Sequence, residues 1–185
     1  MALTKTPVCD FEKKAEDFKL KSIENKLISL NDVKGDKATL IMFICNHCPY
    51  VKAIVRDLAK DCNELRKDGI NSVAIMSNDT KNYPEDSFEN MIKFAKTNNF
   101  GEINYLIDET QEIARKYGAV CTPDFFGYNK ELKLQYRGRF RELKDLKPVS
   151  GGDSDLKIAM KMISETQAGP KEQIPSMGCN IKWFN

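Results

Sequence analysis

The sequence predicts a three-layer α/β domain, with helices covering a central mixed β-sheet, an N-terminal hairpin and a C-terminal extension. Three observations predict it. Strand-length apolar runs alternate with amphipathic helical stretches between Ala38 and Tyr117, and a late hairpin adds antiparallel strands to them. The 185 residues are 41% hydrophobic, enough for one core burying about 70% of the unfolded surface. The chain therefore reads as a single domain over 1–185, with its core at 17–163 and a tail at 164–185.

Phe18-Lys19-Leu20-Lys21 and Lys26-Leu27-Ile28-Ser29-Leu30 alternate around Glu24-Asn25 as a short hairpin. After Lys34-Gly35-Asp36, Ala38 to Ile44 is almost unbroken apolar sequence, the pattern of a central strand covered on both faces. From Val51 the period changes: Val51, Ile54, Val55, Leu58, Cys62 and Leu65 mark one face of a helix that Gly69 stops. Ile70 to Met76 is a second buried strand. Phe88, Met91, Ile92 and Ala95 mark the next helix, with Pro84 near its start. Ile103 to Ile107 forms a further strand, followed by a short helix from Thr110 to Tyr117 with Gly118 at its end. Phe125 to Tyr128 and Leu132 to Gly138 then pair around Asn129-Lys130-Glu131 as an antiparallel edge. Leu156, Ala159, Met160 and Ile163 mark a last helix, and beyond Gly169-Pro170 the segment QIPSMGCNIKWFN has no regular period.

Composition excludes several functions. Twenty-nine basic against 27 acidic side chains leave a net charge of +2 with no long tract of either sign, so no nucleic-acid or anionic-lipid partner is expected. No apolar stretch approaches the roughly 20 residues that cross a bilayer. The start, MALTKTPVCDFEKK, has no apolar segment behind a basic tip, which favours the cytoplasm. Gly151-Gly152-Asp153 lacks the order of a nucleotide phosphate loop.

Chemistry concentrates in six cysteines: Cys9, Cys45, Cys48, Cys62, Cys121 and Cys179. A chain able to build its own core does not need a disulfide scaffold, so reactive thiols or a metal explain them better. The most specific arrangement is Cys45-Asn46-His47-Cys48, between a buried strand and an amphipathic helix. That placement predicts Cys45 at the helix N-terminus, where unpaired N–H groups and the dipole stabilise a thiolate, with Cys48 one turn later as resolving thiol. His47, the only histidine, adds a donor or partial positive charge beside the pair. Zinc is the competing reading. A set of Cys45, His47, Cys48 and Cys121 would crowd three ligands into four residues, and no second C-x-x-C exists. No metal or bound cofactor is expected.

Cys121-Thr122-Pro123 is the second signal. Pro123 is a candidate for a cis bond that exposes the preceding backbone to a substrate chain, with an ordinary strand-start proline as the alternative.

FICNHCPYV at the strand-to-helix junction, YGAVCTPDFFGY with its proline, YRGRF after the hairpin and the terminal PSMGCNIKW resemble the thioredoxin-like superfamily. Within it, they resemble the peroxiredoxin-like and redoxin-domain (AhpC/TSA-related) proteins, over roughly Asp17 to Ile163. The resemblance implies Cys45 as nucleophile, Cys48 as resolving thiol and Pro123 as the cis-proline opposite them, with Thr122 beside it. It also implies exchange with protein or low-molecular-weight thiols and disulfides, using an external dithiol reductant or disulfide acceptor. The chain departs from the thioredoxin Trp-Cys-Gly-Pro-Cys and from the peroxiredoxin Pro-x-x-x-Thr-x-x-Cys, since Met42 stands where that threonine would be. A histidine just before the second cysteine resembles oxidising periplasmic disulfide proteins.

The remaining candidates each have two readings. Cys121 is an auxiliary thiol or a buried loop cysteine, and Cys179 a thiol returning to the site or a structural tail residue. Cys62 packs in the core and Cys9 lies on a flexible surface. Arg137 and Arg139 stabilise an anionic thiolate or substrate, or are solvated edge charges. Tyr50 borders a substrate groove or packs. The leading expectation is a thiol–disulfide oxidoreductase working by ping-pong exchange. A thiol-dependent peroxidase is second, and a metal-binding or non-catalytic interaction domain third.

Overall fold

The computed structural model describes residues 2–184. Its strands are β1 (Leu3–Lys5), β2 (Lys19–Ser22), β3 (Leu27–Ser29), β4 (Ala38–Phe43), β5 (Ile70–Met76), β6 (Asn104–Ile107), β7 (Cys121–Thr122), β8 (Asp124–Asn129), β9 (Leu134–Tyr136), β10 (Leu143–Lys144), β11 (Lys147–Pro148) and β12 (Met177–Asn180). Its helices are α1 (Leu30–Val33), α2 (Pro49–Arg66), α3 (Phe88–Thr97), α4 (Glu112–Tyr117) and α5 (Asp155–Thr166), with a 3-10 turn at Pro84–Asp86.

Seven strands form the main sheet in the order β3-β2-β6-β5-β4-β8-β9. β4, β5 and β6 are parallel, whereas β8 and β9 on one side and β2 and β3 on the other are each paired antiparallel to their neighbours. β4 shows why its sequence is continuously apolar. Leu40 and Met42 join the cluster under α2 and α5, while Ile41 and Phe43 join the opposite one with Tyr117 and Phe126. The spacing-derived faces of α2 and α5 are buried as expected.

Several elements differ from the sequence reading. Ile92, placed on the apolar face of α3, is 40% exposed. Pro84 opens the separate 3-10 turn, and Ser87 caps α3 by accepting from the N–H of Asn90. β9 is shorter than 132–138, because Leu132 takes a positive φ of 59° in the turn and the chain leaves the sheet after Tyr136. Cys9 is half-buried against the Ile41 cluster rather than on a flexible surface, and burial pushes its thiol up to about 11.

The largest difference is in the tail. The irregular-looking segment contains β12, which lies between β1 and β7 in a second, three-stranded sheet. Lys182 donates from its N–H to Asn78 Oδ1 (2.9 Å), Gln111 Nε2 donates to Lys182 O (2.8 Å), and Trp183 carries the Arg115 guanidinium 4.3 Å above its ring. Gly178 is required here by close approach, since a methyl group on it would fall on the carbonyl oxygen of Thr122. Gly178→Ala is therefore expected to cost about 1–3 kcal/mol, read as a lower denaturant midpoint at unchanged slope.

Candidate thiol site

The chain leaves β4 at Phe43 and turns through Cys45, Asn46 and His47 into α2. Cys48 is the N-cap and Pro49 the first helical residue, where a missing N–H costs nothing. The sequence reading placed Cys45 at the helix N-terminus, but the position belongs to Cys48. The physical reason lies in Asp86, which holds the intervening turn out of the helix.

Asp86 is fully buried in the 3-10 turn, and its carboxylate collects four donors. Oδ1 accepts from the backbone N–H of Asn46 (2.8 Å) and of His47 (3.3 Å), and Oδ2 from Asn78 Nδ2 (2.8 Å). His47 Nδ1 lies 2.7 Å from Oδ2, and its ring stacks on Tyr83 at 5.7 Å between centroids. That hydrogen bond raises the His47 pKa, against a smaller opposing effect of burial. His47 is therefore paired with a carboxylate and hydrogen-bonded to neither thiol. Asn46 completes the turn by accepting from Tyr105 OH (2.9 Å) and donating to Glu85 O (3.2 Å).

Cys45 and Cys48 are 1% and 0% exposed. Cys45 Sγ lies 3.3 Å from Thr122 Oγ1, and Cys48 Sγ lies 3.1 Å from Thr122 O and 3.0 Å from Cys179 Sγ. The interaction with Cys45 pulls Cys48 down to about 5, with further help from the Cys179 thiol and the N–H groups of Val51 and Cys179. Burial opposes this but does not cancel it. Cys45 moves well above its ordinary value, first through its interaction with the neighbouring Cys48, then through burial and the nearby Asp86 carboxylate. Ionisation is favoured at Cys48, the residue at the helix N-terminus.

Thr122–Pro123 is a cis peptide, as the sequence suggested. The backbone before it is not open to a partner chain. β7 is paired with β12 in the register Cys179↔Thr122 and Asn180↔Cys121, so the chain's own tail fills that strand position. Ser176 secures the approach by donating from Oγ to Pro123 O (2.8 Å). Cys179 thus reaches the thiols, although burial pushes its own thiol up to about 12.

Other candidates lie elsewhere. Cys121 alternates away from Thr122 along β7, its Sγ 3.5 Å from Pro123 O and hydrogen-bonded to no thiol, and burial drives its pKa upward. Cys62 is buried on α2, and burial pushes its thiol up to about 12. Both arginines depart from their anion-stabilising reading, because each already has a carboxylate. Arg137 Nη2 donates to Asp124 Oδ2 (2.9 Å) and Gly118 O (2.8 Å) beneath the Phe126 ring, and Arg139 Nε donates to Asp155 Oδ2 (2.6 Å). Tyr50 borders a groove of about 490 Å³ with Ile54, Pro123, Phe140, Leu143 and Met177.

Among the described residues, Cys45, His47 and Asp86 place potential metal-ligand atoms within 4.8 Å of one another. The proposed Cys121-containing set is not assembled. A cation at the Asp86 group would have to displace donors from a carboxylate that already has four. Asp86, Asn78, Tyr83 and Tyr105 were all missed by sequence reasoning. Asp86 gave no signal, since an acidic residue after Pro84 and before Ser87 reads as an ordinary helix start.

The chain is 39% identical to an uncharacterized conserved protein from Geobacillus kaustophilus, whose crystal structure superposes with a TM-score of 0.93 over 100% of this chain and 97% of that one. A hypothetical protein from Sinorhizobium meliloti is 36% identical, with a TM-score of 0.89 over 98% of both chains. The thioredoxin domain of a thiol-disulfide oxidoreductase from Bacteroides vulgatus shares the fold at 18% identity and a TM-score of 0.58, over 69% of this chain and 86% of that one. No curated protein matches. The AhpC/TSA family model matches residues 11–139, more than half of a chain whose sheet and cis-proline are those of a thioredoxin-like fold, and the protein therefore belongs to the AhpC/TSA family.

Proposed function

We propose that the protein is a thiol–disulfide oxidoreductase acting through Cys45 and Cys48 by ping-pong exchange with protein or low-molecular-weight disulfides. The observation that carries the reading is two buried cysteine thiols at the β4–α2 junction, both in contact with Thr122 beside cis-Pro123.

The Cys48 thiolate serves as the base for Cys45, whose freed thiolate is met by the Thr122 hydroxyl at 3.3 Å. Cys45 attacks one sulphur of the substrate disulfide, and the other sulphur leaves as a thiolate that takes the proton now on Cys48. The Cys48 thiolate then attacks Cys45 Sγ, closing the Cys45–Cys48 bond and releasing the second substrate thiolate. An external dithiol reopens the pair. Cys45 is assigned the attack because Cys48 Sγ is already engaged with Cys179 Sγ and Thr122 O. Asp86 and His47 position the turn that carries Cys45.

Two measurements test this. Turnover of glutathione disulfide, with dithiothreitol as reductant and a transient Cys45–Cys48 bond seen by peptide mass spectrometry, is the expected result. Turnover of hydrogen peroxide alone would make the protein a thiol peroxidase, with Cys45 passing through a sulfenic acid. Inactivity with both would leave an interaction domain.

The second measurement is a titration. The thiolate ultraviolet absorbance of the reduced protein is expected to rise through a midpoint near 5, and that step should disappear in Cys48→Ser. Exchange activity should fall as pH falls through the same region, because protonated Cys48 no longer serves as base.

A further inference from the structure

The geometry points to Cys179 as a third redox thiol, one that exchanges with the Cys45–Cys48 disulfide to give a Cys48–Cys179 bond. The inference rests on the oxidoreductase reading and deepens it, since it assigns a reacting residue outside the C-x-x-C pair.

Three features of its placement support it. Cys48 Sγ and Cys179 Sγ are 3.0 Å apart, so only small movements separate contact from bonding. β12 is held in a fixed register, with Cys179 opposite Thr122, the residue whose hydroxyl and carbonyl already touch Cys45 and Cys48. Finally, the tail occupies the strand position beside cis-Pro123 that sequence reasoning assigned to a substrate chain, so Cys179 stands where a substrate sulphur would enter. No other cysteine shares this placement: Cys121 faces Pro123 O, and Cys62 lies deeper along α2.

The exchange needs no outside oxidant once the first disulfide exists. Deprotonated Cys179 attacks Cys48 Sγ, forming the Cys48–Cys179 bond. The Cys45–Cys48 bond breaks and its electron pair leaves on Cys45, which takes up the proton Cys179 has lost. Two electrons' worth of oxidation is conserved, and Cys45 returns to the thiol state while the chain remains oxidised. The raised pKa of Cys179 leaves little of it as thiolate and makes it a poor leaving group, so the tail bond forms slowly and, once formed, is slow to return to the Cys45–Cys48 form.

Peptide mapping of the full chain tests this without depending on turnover. The protein is oxidised with diamide, alkylated and digested with trypsin. Residues 38–52 carry Cys45 and Cys48 together, and residues 172–182 carry Cys179. The expected result is a cross-linked pair of these peptides beside the internal Cys45–Cys48 form, with fragmentation placing the link on Cys48. Cys45→Ser should convert the chain to the cross-linked form alone, and Cys179→Ser should abolish it while keeping the internal bond. A wild-type chain giving only Cys45–Cys48, together with Cys45→Ser leaving Cys48 and Cys179 reduced, would overturn the proposal. Because the link is read by mass, its absence in a protein that still turns over glutathione disulfide refutes the third thiol alone. Its presence in a protein without turnover refutes only the oxidoreductase reading.

Discussion

Cys45→Ser is expected to cut turnover of a small disulfide by about a thousandfold or more, because a hydroxyl at this position cannot replace a thiolate nucleophile. The fold should tolerate the change, since Cys45 Sγ makes a hydrogen bond with Thr122 that an oxygen can also make. Cys48→Ser removes both the base and the resolving thiol. It is expected to leave a slow first attack whose product, a mixed disulfide on Cys45, accumulates instead of resolving. Intact-mass measurement after a single addition of glutathione disulfide distinguishes the two, with one glutathione adduct on Cys48→Ser and none on Cys45→Ser. Equal turnover by Cys45→Ser and wild type would remove Cys45 from the reaction. The same result on Cys48→Ser would remove its dual role.

Asp86→Ala is expected to lower stability by about 3–5 kcal/mol, the usual consequence of taking one partner out of a buried hydrogen-bonded pair. Four donors lose their acceptor at once: the N–H groups of Asn46 and His47, the His47 ring and the Asn78 amide. The effect has a pH signature. Because Asp86 raises the His47 pKa above its ordinary 6.5, the folded state binds that proton more tightly than the unfolded chain does. The contribution is complete below about 6.5 and is lost as pH rises through the folded value. Denaturant melts of wild type and Asp86→Ala should therefore differ more in acid than in mild alkali. Asp86→Asn keeps the side-chain shape but removes the charge, and is expected to lower the Cys45 pKa, since the carboxylate is one of its raising influences. Faster alkylation of Cys45 near neutrality checks this, and an unchanged rate would separate Asp86 from the thiols.

Where each element's signal is local, the sequence displays it. β4 and β5 read as apolar runs because both of their faces are buried, and α2 reads as a helix because one face is. The Cys45–Cys48 spacing and Pro123 are likewise visible without any tertiary information. What was hidden depends on distant pairing. β12 is four residues long with a glycine inside it, too short for any period, and exists because β1 and β7 supply its hydrogen-bond partners. Arg137 looked available because Asp124, 13 residues away, is buried by the fold rather than marked by the sequence. Asp86 lies 39 residues from His47, and only the fold brings them together. The exchange of helix-capping position between Cys45 and Cys48 follows from that unseen carboxylate.

The three-stranded sheet has a consequence for the making of the protein. Cys179 lies 131 residues downstream of Cys48, so at about 5–20 residues per second the ribosome adds it roughly 7–26 s later. During that interval the Cys45–Cys48 segment exists without the strand that pairs beside Thr122 and without the Cys179 thiol that contacts Cys48 in the finished fold. Production in a reducing medium therefore protects the nascent chain before those contacts form.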